Sequence, residues 1–217
     1  MSCVSEADAR VLAGFGSPPP LVVANGVDLA RYAFRSEPAR EEVVFFVGDL
    51  TWPPNAEGIR WFCARVWPEL ARRRPSARVE ILGRGTRAWM ERQAGAGISF
   101  LGEGDDTRPH WNRAAVAIVP LSAGGGTRLK ILEAAACGVP VVSTPVGAEG
   151  LDFNDGSEIL LAQGAEEFAG AVSGLLADPD ARRSQAAAAR RRVEMISDWQ
   201  KIGSGFAREL ARRASPI

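Results

Sequence analysis

VPLSAGGGTRLKILEAAACGVPVVSTPVGAEGL, running from Val119 to Leu151, reads as strand end, glycine-rich loop, helix, tight turn and strand. The β-like run AAVAIV (Ala114 to Val119) leads into it, and three consecutive glycines, Gly124 to Gly126, separate that run from a helix opening near Thr127. A bare loop ahead of a helix leaves backbone N–H groups without intrahelical partners, and such a place suits a phosphate. Arg128 and Lys130 add cations beside the loop, and Glu133 falls within the first two turns of the helix. The segment therefore proposes that the protein holds something phosphorylated.

Outward from this stretch the same alternation continues. EVVFFVG (Glu42 to Gly48) is a buried strand, its middle all apolar and β-branched or aromatic. The Pro53-Pro54-Asn55 start predicts a helix through about Arg73, with Ile59, Phe62, Cys63, Val66 and Leu70 on one face. ARVEILG (Ala77 to Gly83) and GISFLG (Gly97 to Gly102) are further strands, with short helices over Thr86 to Ala94 and Asp106 to Arg113. Val139 to Ser143 and Glu158 to Ala162 complete six strands. Ala165 to Ala177 is a helix, Asp178-Pro179-Asp180 a break, and the rest one long helix to about Arg213.

Strands separated by helices imply right-handed βαβ units and a Rossmann-like, doubly wound parallel α/β sheet. Ligands of such sheets collect at the carboxyl ends of the strands. Gly48 would there allow close backbone approach to a diphosphate, a plain strand-end turn being the other reading. Arg84, between Gly83 and Gly85, either reaches a base or phosphate or is a surface arginine. Residues 1–40 differ: Ala7 to Leu12 suits a helix, and LVVANGVD (Leu21 to Asp28) a strand ending in an Asn-Gly turn. They resemble the tail of a preceding domain, leaving 41–180 as the Rossmann-like unit and 181–217 as a helical segment.

Composition narrows the function. Formal charge is zero, which argues against a general nucleic-acid binder. From Ala181 to Ile217 nine Arg or Lys stand against three Asp or Glu, a solvated helix face or one that meets a partner domain or an anionic membrane surface. Cys3, Cys63 and Cys137 have neither disulfide nor metal spacing, which fits a reduced, cytoplasmic setting with Cys63 and Cys137 buried on helices. No apolar run approaches the ~18 residues of a membrane span. No metal cluster and no Ser-His-Asp arrangement stands out, and His110, the sole histidine, falls in a polar helix apart from the motif. The six tryptophans form no stripe and read as core or interface, with Trp52 a candidate cap on the cleft.

The pieces ANGVD (Ala24 to Asp28), FFVGDLTWPPN (Phe45 to Asn55), ILGRG (Ile81 to Gly85), ISFLGEGDD (Ile98 to Asp106) and Val119 to Leu151 occur in an order that resembles the C-terminal, nucleotide-sugar-binding half of a GT-B glycosyltransferase of family 4, the glycosyl transferases group 1. The resemblance implies two Rossmann-like domains facing each other across a cleft, of which this chain supplies the donor half. The nucleoside-diphosphate sugar is then a substrate, with no further cofactor and no metal. The acceptor lies on an N-terminal domain, in cis or in trans, without which the chain is expected to be inactive. Polysaccharide biosynthesis in the cytoplasm is the expected setting, with peripheral contact at the inner membrane face one of the options for the basic segment.

The resemblance assigns Glu133 to the ribose hydroxyls, since an ionised carboxylate offers several acceptor sites to a diol. The plainer reading is a helix-start glutamate favoured by the dipole. Gly83, Gly124, Gly125, Gly126, Thr127 and Leu129 join Gly48 in the donor cradle, and backbone near Leu101 to Glu103 meets the base. The chain departs from the pattern at three places. The motif's first glutamate falls on Gly125, so either backbone of Gly124 to Gly126 replaces it or the site is degenerate. The cations that many relatives carry after the first strand fall on Asp49 and Asn55. Negative charge accumulates on the departing diphosphate, so cations are needed elsewhere. Arg128 and Lys130, with the N–H groups of Arg128 and Leu129, are the candidates for that catalytic role. Two other readings stand beside this one: a sugar-nucleotide epimerase half, and a non-catalytic regulatory or assembly subunit.

Overall fold

The computed structural model describes residues 2–4, 6–15, 20–85, 87–93, 95–124 and 126–214. Its first unit is a parallel pair, β1 (Ser2–Cys3) and β2 (Leu21–Val22), joined by α1 (Glu6–Gly14). The second is a six-stranded sheet. In chain order its elements are β3 (Val43–Val47), α2 (Pro53–Trp61), α3 (Trp67–Arg73), β4 (Arg78–Leu82), α4 (Arg87–Gln93), β5 (Ile98–Gly102), α5 (Arg108–Trp111), β6 (Val116–Val119), α6 (Leu129–Cys137), β7 (Val141–Ser143) and β8 (Leu160–Leu161). Three helices follow: α7 (Ala165–Ala177), α8 (Pro179–Ile196) and α9 (Trp199–Ala214). Among the described helices none is long and apolar enough to cross a membrane.

All neighbouring strands run parallel, in the order β5-β4-β3-β6-β7-β8. That is the doubly wound order with its reversal between β3 and β6. Burial on both faces explains why β3 and β6 are apolar throughout rather than alternating. Val44 and Phe46 point into one core with Ile59, Phe62 and Phe168 of α2, its continuation and α7. Phe45 points into the other with Trp111, Ile131 and Ala134 of α5 and α6.

The helix expected from Pro53 to Arg73 is continuous, but Phe62–Val66 adopts π geometry at its middle. Trp67 N–H bonds back to Phe62 O, and the next residue, Pro68, has no N–H to give. A widened turn is where a helix can take a proline ring without clash. The helix expected near Thr127 begins at Leu129 and ends in a Schellman turn: Gly138 N–H donates to Ala135 O (3.2 Å) and Val139 N–H to Ala134 O (2.8 Å). Gly138 has φ +77°, and a Cβ there would stand 2.5 Å from Arg35 O.

Two expectations are corrected. LVVANGVD is not one strand: only Leu21–Val22 pairs with β1, while Val27 makes an isolated bridge to Asp198. That bridge also breaks the expected single C-terminal helix into α8 and α9. Val27 N–H donates to Ser197 O (2.8 Å) and Trp199 N–H to Val27 O (3.2 Å), which requires an open backbone at the junction. Asp198 Oδ1 then accepts from Gln200 N–H at 2.9 Å and caps α9.

Candidate functional site

The reversal point is a real crevice. β3 and β6 are in register only at Val44–Val116 and Phe45–Ala117, so their carboxyl ends part. Into the gap run the loops after β3 and β6. The loop after β3 is pressed against the one after β4: a Cβ at Gly83 would stand 1.9 Å from Gly48 O, so that crossing excludes any side chain.

On the β6 side, Gly124 (φ +116°) and Gly126 (φ +82°) hold conformations that side-chain-bearing residues rarely adopt. Gly125 lies outside the described residues. Arg128 is buried and turned back on this loop, Nη1 donating to Gly126 O (2.7 Å) and Nη2 to Gly124 O (2.8 Å). Its guanidinium also lies 5.7 Å from the Trp52 ring centroid, and burial lowers its pKa. A Cβ at Gly124 would be 2.9 Å from Trp52. The half-exposed indole thus sits on the glycine loop. Leu129 N–H, a candidate anion donor, is directed at Thr127 O (3.1 Å), and Thr127 is half-buried beside it.

Lys130 reaches across the crevice. Its Nζ donates to Asn55 Oδ1 (3.0 Å), lies 4.0 Å from the Phe46 ring centroid, and would be 2.7 Å from a Cβ at Gly48. Asn55 Nδ2 in turn donates to Asp49 O (2.9 Å), tying the β3 loop to itself. Burial first, then the Arg128 charge, push the Lys130 amine down to about 7, against the pull of Glu133. Among the described residues its hydrogen-bond partner is a neutral amide rather than a carboxylate. Asp49 is occupied otherwise. Its Oδ1 accepts from Thr51 N–H (2.8 Å) and Oγ1 (2.6 Å), and Oδ2 pairs with Arg84 from the β4 loop. The Arg84 guanidinium and the Thr51 donors hold its carboxyl down to about 2.

Glu133, in the second turn of α6, is positioned from α5. Its Oε2 accepts from Trp111 Nε1 (3.1 Å) and Thr107 Oγ1 (3.4 Å). The Tyr32 hydroxyl lies 3.3 Å from that threonine, and burial raises the phenol's pKa, with the Glu133 charge adding to it. Sequence reasoning had not found Trp111, Thr107 or Tyr32. The only signal was the Thr107–Trp111 spacing, which puts both on one face of a helical turn. His110 stacks on Phe45 (centroids 5.5 Å, planes 10° apart) and serves the core.

Beyond Gly83, at the carboxyl ends of β4 and β5, opens a cleft of about 640 Å³ lined by Arg84, Met90, Leu101, Gly102 and Glu103 among others. The structure thus gathers Gly48, Gly83, Gly124, Gly126, Arg128, Lys130 and Glu133 along one sheet edge, and Gly83 also lines this cleft. Among the described residues no group of three or more His, Cys, Asp or Glu side chains is placed to hold a metal ion.

The sequence model of the family described as Glycosyl transferases group 1 matches residues 41–178. The glycogen synthase of Mycobacterium tuberculosis H37Rv is 31% identical over 211 residues, covering 90% of this chain and 49% of that protein. The phosphatidyl-myo-inositol mannosyltransferase of Mycolicibacterium smegmatis is 30% identical over 197 residues, covering 86% of this chain and 50% of that protein. Anabaena HepE, solved in complex with UDP-glucose, superposes with a TM-score of 0.78 at 18% identity, covering 96% of this chain and 62% of that one. The chain spans about half the length of the curated relatives it matches.

Proposed function

The chain belongs to the glycosyl transferases group 1 family, and from that premise we propose that it is the donor-binding half of a GT-B enzyme of the family 4 type. It holds a nucleoside-diphosphate sugar for retaining, metal-independent transfer to an acceptor carried by an N-terminal domain. The observation that carries this reading is Lys130: a largely buried ammonium at the sheet's reversal point, between Gly48 and the glycine loop, held by a neutral amide. A buried cation without a hydrogen-bonded counter-charge is costly, Glu133 acting on it only through space, and an incoming diphosphate would supply that charge.

The departures at Asp49 and Asn55 fit the same reading. Each residue fixes a cation from another element, Asp49 holding Arg84 and Asn55 holding Lys130. The positive charge has moved from the β3 loop to α6 and the β4 loop. As the bond from the anomeric carbon to the diphosphate oxygen breaks, the electron pair stays with the diphosphate, beside Lys130. Arg128 keeps the glycine loop in its φ-positive form and adds its charge from beneath. Glu133, oriented by Trp111 and Thr107, takes the ribose hydroxyls, and the cleft beside Gly102 takes the base.

The acceptor domain is the partner that the first unit calls for. Val11 and Phe15 of that unit, like Trp199 and Leu210 of α9, are exposed and offer an apolar surface to such a domain. Lys201, Arg208 and Arg212 of α9 give the same region a basic character that suits an anionic membrane face. The three free cysteines suit the cytoplasm, and the relatives' names suit polysaccharide or glycolipid assembly. A thermal-shift panel of uridine, guanosine and adenosine diphosphates tests the reading. At least one should stabilise the chain, by about 2.7 kcal/mol at a hundredfold excess over Kd. No shift at millimolar concentration across the series would transfer the case to a non-catalytic subunit, the reading that Gly125 favours.

A further inference from the structure

The connector between the two sheets, residues 27–35, is fastened to the helices of the main unit along its length. Asp28 Oδ1 accepts from Ala30 N–H (2.9 Å) and Arg31 N–H (3.0 Å), and Tyr32 N–H donates to Asp28 O (2.9 Å), which closes one tight turn. Arg190 Nη1 of α8 donates to Tyr32 O (3.2 Å) and to Ala136 O of α6 (2.8 Å), tying that turn to the helix that carries Glu133. Arg35 N–H donates to Cys137 O (3.1 Å) at the end of α6. Its guanidinium donates to Asn112 O and, through Nη2, to Ala114 O (2.9 Å), just beyond α5.

Tyr32, the chain's only tyrosine, is thereby held against the donor carboxylate. Its ring packs on the two buried clusters that flank α6, and its hydroxyl lies 3.3 Å from Thr107 Oγ1. Thr107 Oγ1 donates to Glu133 Oε2, as does Trp111 Nε1. The threonine proton is thus committed to the carboxylate, which leaves the Tyr32 hydroxyl as the donor to Thr107. Burial raises the phenol's pKa, so that proton is retained. Such a chain, hydroxyl to hydroxyl to carboxylate, polarises along its length and each bond strengthens the next. Two bonds on Oε2 fix the rotation of the carboxylate, and that rotation decides how it meets a diol.

We propose that Tyr32 is a positioning residue for the nucleoside: from the connector it holds Thr107 against Glu133, so that the seating of the connector and the grip on the ribose are linked. The proposal rests on the assignment of Glu133 to the ribose hydroxyls. It places a determinant of donor affinity away from the sheet edge, on the segment that joins the two sheets. Linkage is reciprocal, so a bound nucleoside steadies the connector by the same free energy with which the connector steadies the nucleoside.

Tyr32→Phe keeps the packed ring and removes the hydroxyl alone, and Thr107→Val breaks the same chain at its middle. Calorimetry with each variant uses three probes: whichever of uridine, guanosine and adenosine diphosphate stabilises the chain, its 2′,3′-dideoxy counterpart, and inorganic pyrophosphate. In both variants affinity for the nucleoside diphosphate should fall roughly 2- to 12-fold, as for one lost hydrogen bond, while the other two probes bind as before. Placed on Glu133→Gln, Tyr32→Phe should cost nothing further. Amide hydrogen exchange over residues 27–35 should slow with the nucleoside diphosphate and not with pyrophosphate. Equal weakening of all three probes makes Tyr32 a packing residue. An unaltered nucleoside affinity, an undiminished loss on Glu133→Gln, or a connector whose exchange ignores the nucleotide also overturns the proposal. If the unmutated chain binds the nucleoside diphosphate and its dideoxy form equally, the ribose assignment of Glu133 fails instead.

Discussion

Lys130 is the residue whose chemistry separates a ligand site from a structural charge. Its amine titrates near 7 in the folded chain and near 10.5 when unfolded, so between those values the unfolded state binds more protons. Stability of the unliganded chain therefore rises with pH over that window. Affinity for a diphosphate should run the other way, because the anion needs the ammonium. Calorimetry between pH 7.5 and 9 should show Kd rising by up to about tenfold per pH unit, with proton uptake on binding. In Lys130→Gln both dependences should flatten. An affinity independent of pH in the unmutated chain would make Lys130 a packing residue. Glu133 makes a different demand. Glu133→Gln keeps the shape but loses the charge-assisted bonds, worth about 1.5–3 kcal/mol. A nucleoside diphosphate should weaken roughly 10- to 100-fold, and inorganic pyrophosphate far less. Equal weakening of the two ligands would refute the ribose role.

At the scale of elements, α6 carries most of the site, and its two ends are built differently. The C-terminal end is a backbone device: Gly138 closes the helix in the left-handed region, hard against Arg35 O. Gly138→Ala should cost about 1–3 kcal/mol in chemical denaturation. Ligand affinity of the folded fraction should be unchanged, since Gly138 is remote from the crevice. The N-terminal end is a side-chain device, with Arg128 gripping two loop carbonyls and Lys130 bridging to Asn55. The glycines, the apolar runs and the tight turn before the next strand made α6 and its flanking strands legible in the sequence, because they act within a few residues. The direction of Arg128, Lys130 and Glu133 was not legible. Their partners Asn55, Trp111 and Thr107 come from other elements, and no local pattern records a contact across a crevice.

For the whole molecule, the described strands form a six-stranded sheet and a separate two-stranded one. The 217-residue chain should bind its nucleotide without transferring sugar. Transfer, followed by release of the nucleoside diphosphate, should appear when an α/β acceptor domain is supplied in cis or in trans. Turnover by the chain alone would contradict the division of labour proposed here. The sequence alone determined the class of fold, the strand count of the main sheet, the family resemblance and the phosphate-cradle candidate. Those properties follow from the periodicity of apolar residues and from glycines at short range, both of which are written linearly. The tertiary structure alone decided that the C-terminal helix breaks at Ser197–Asp198, where Val27 claims the backbone. It likewise decided that Asp49 and Asn55 hold cations instead of providing them. Both outcomes depend on hydrogen bonds between segments far apart in the chain, and only the folded sheet brings those segments within reach.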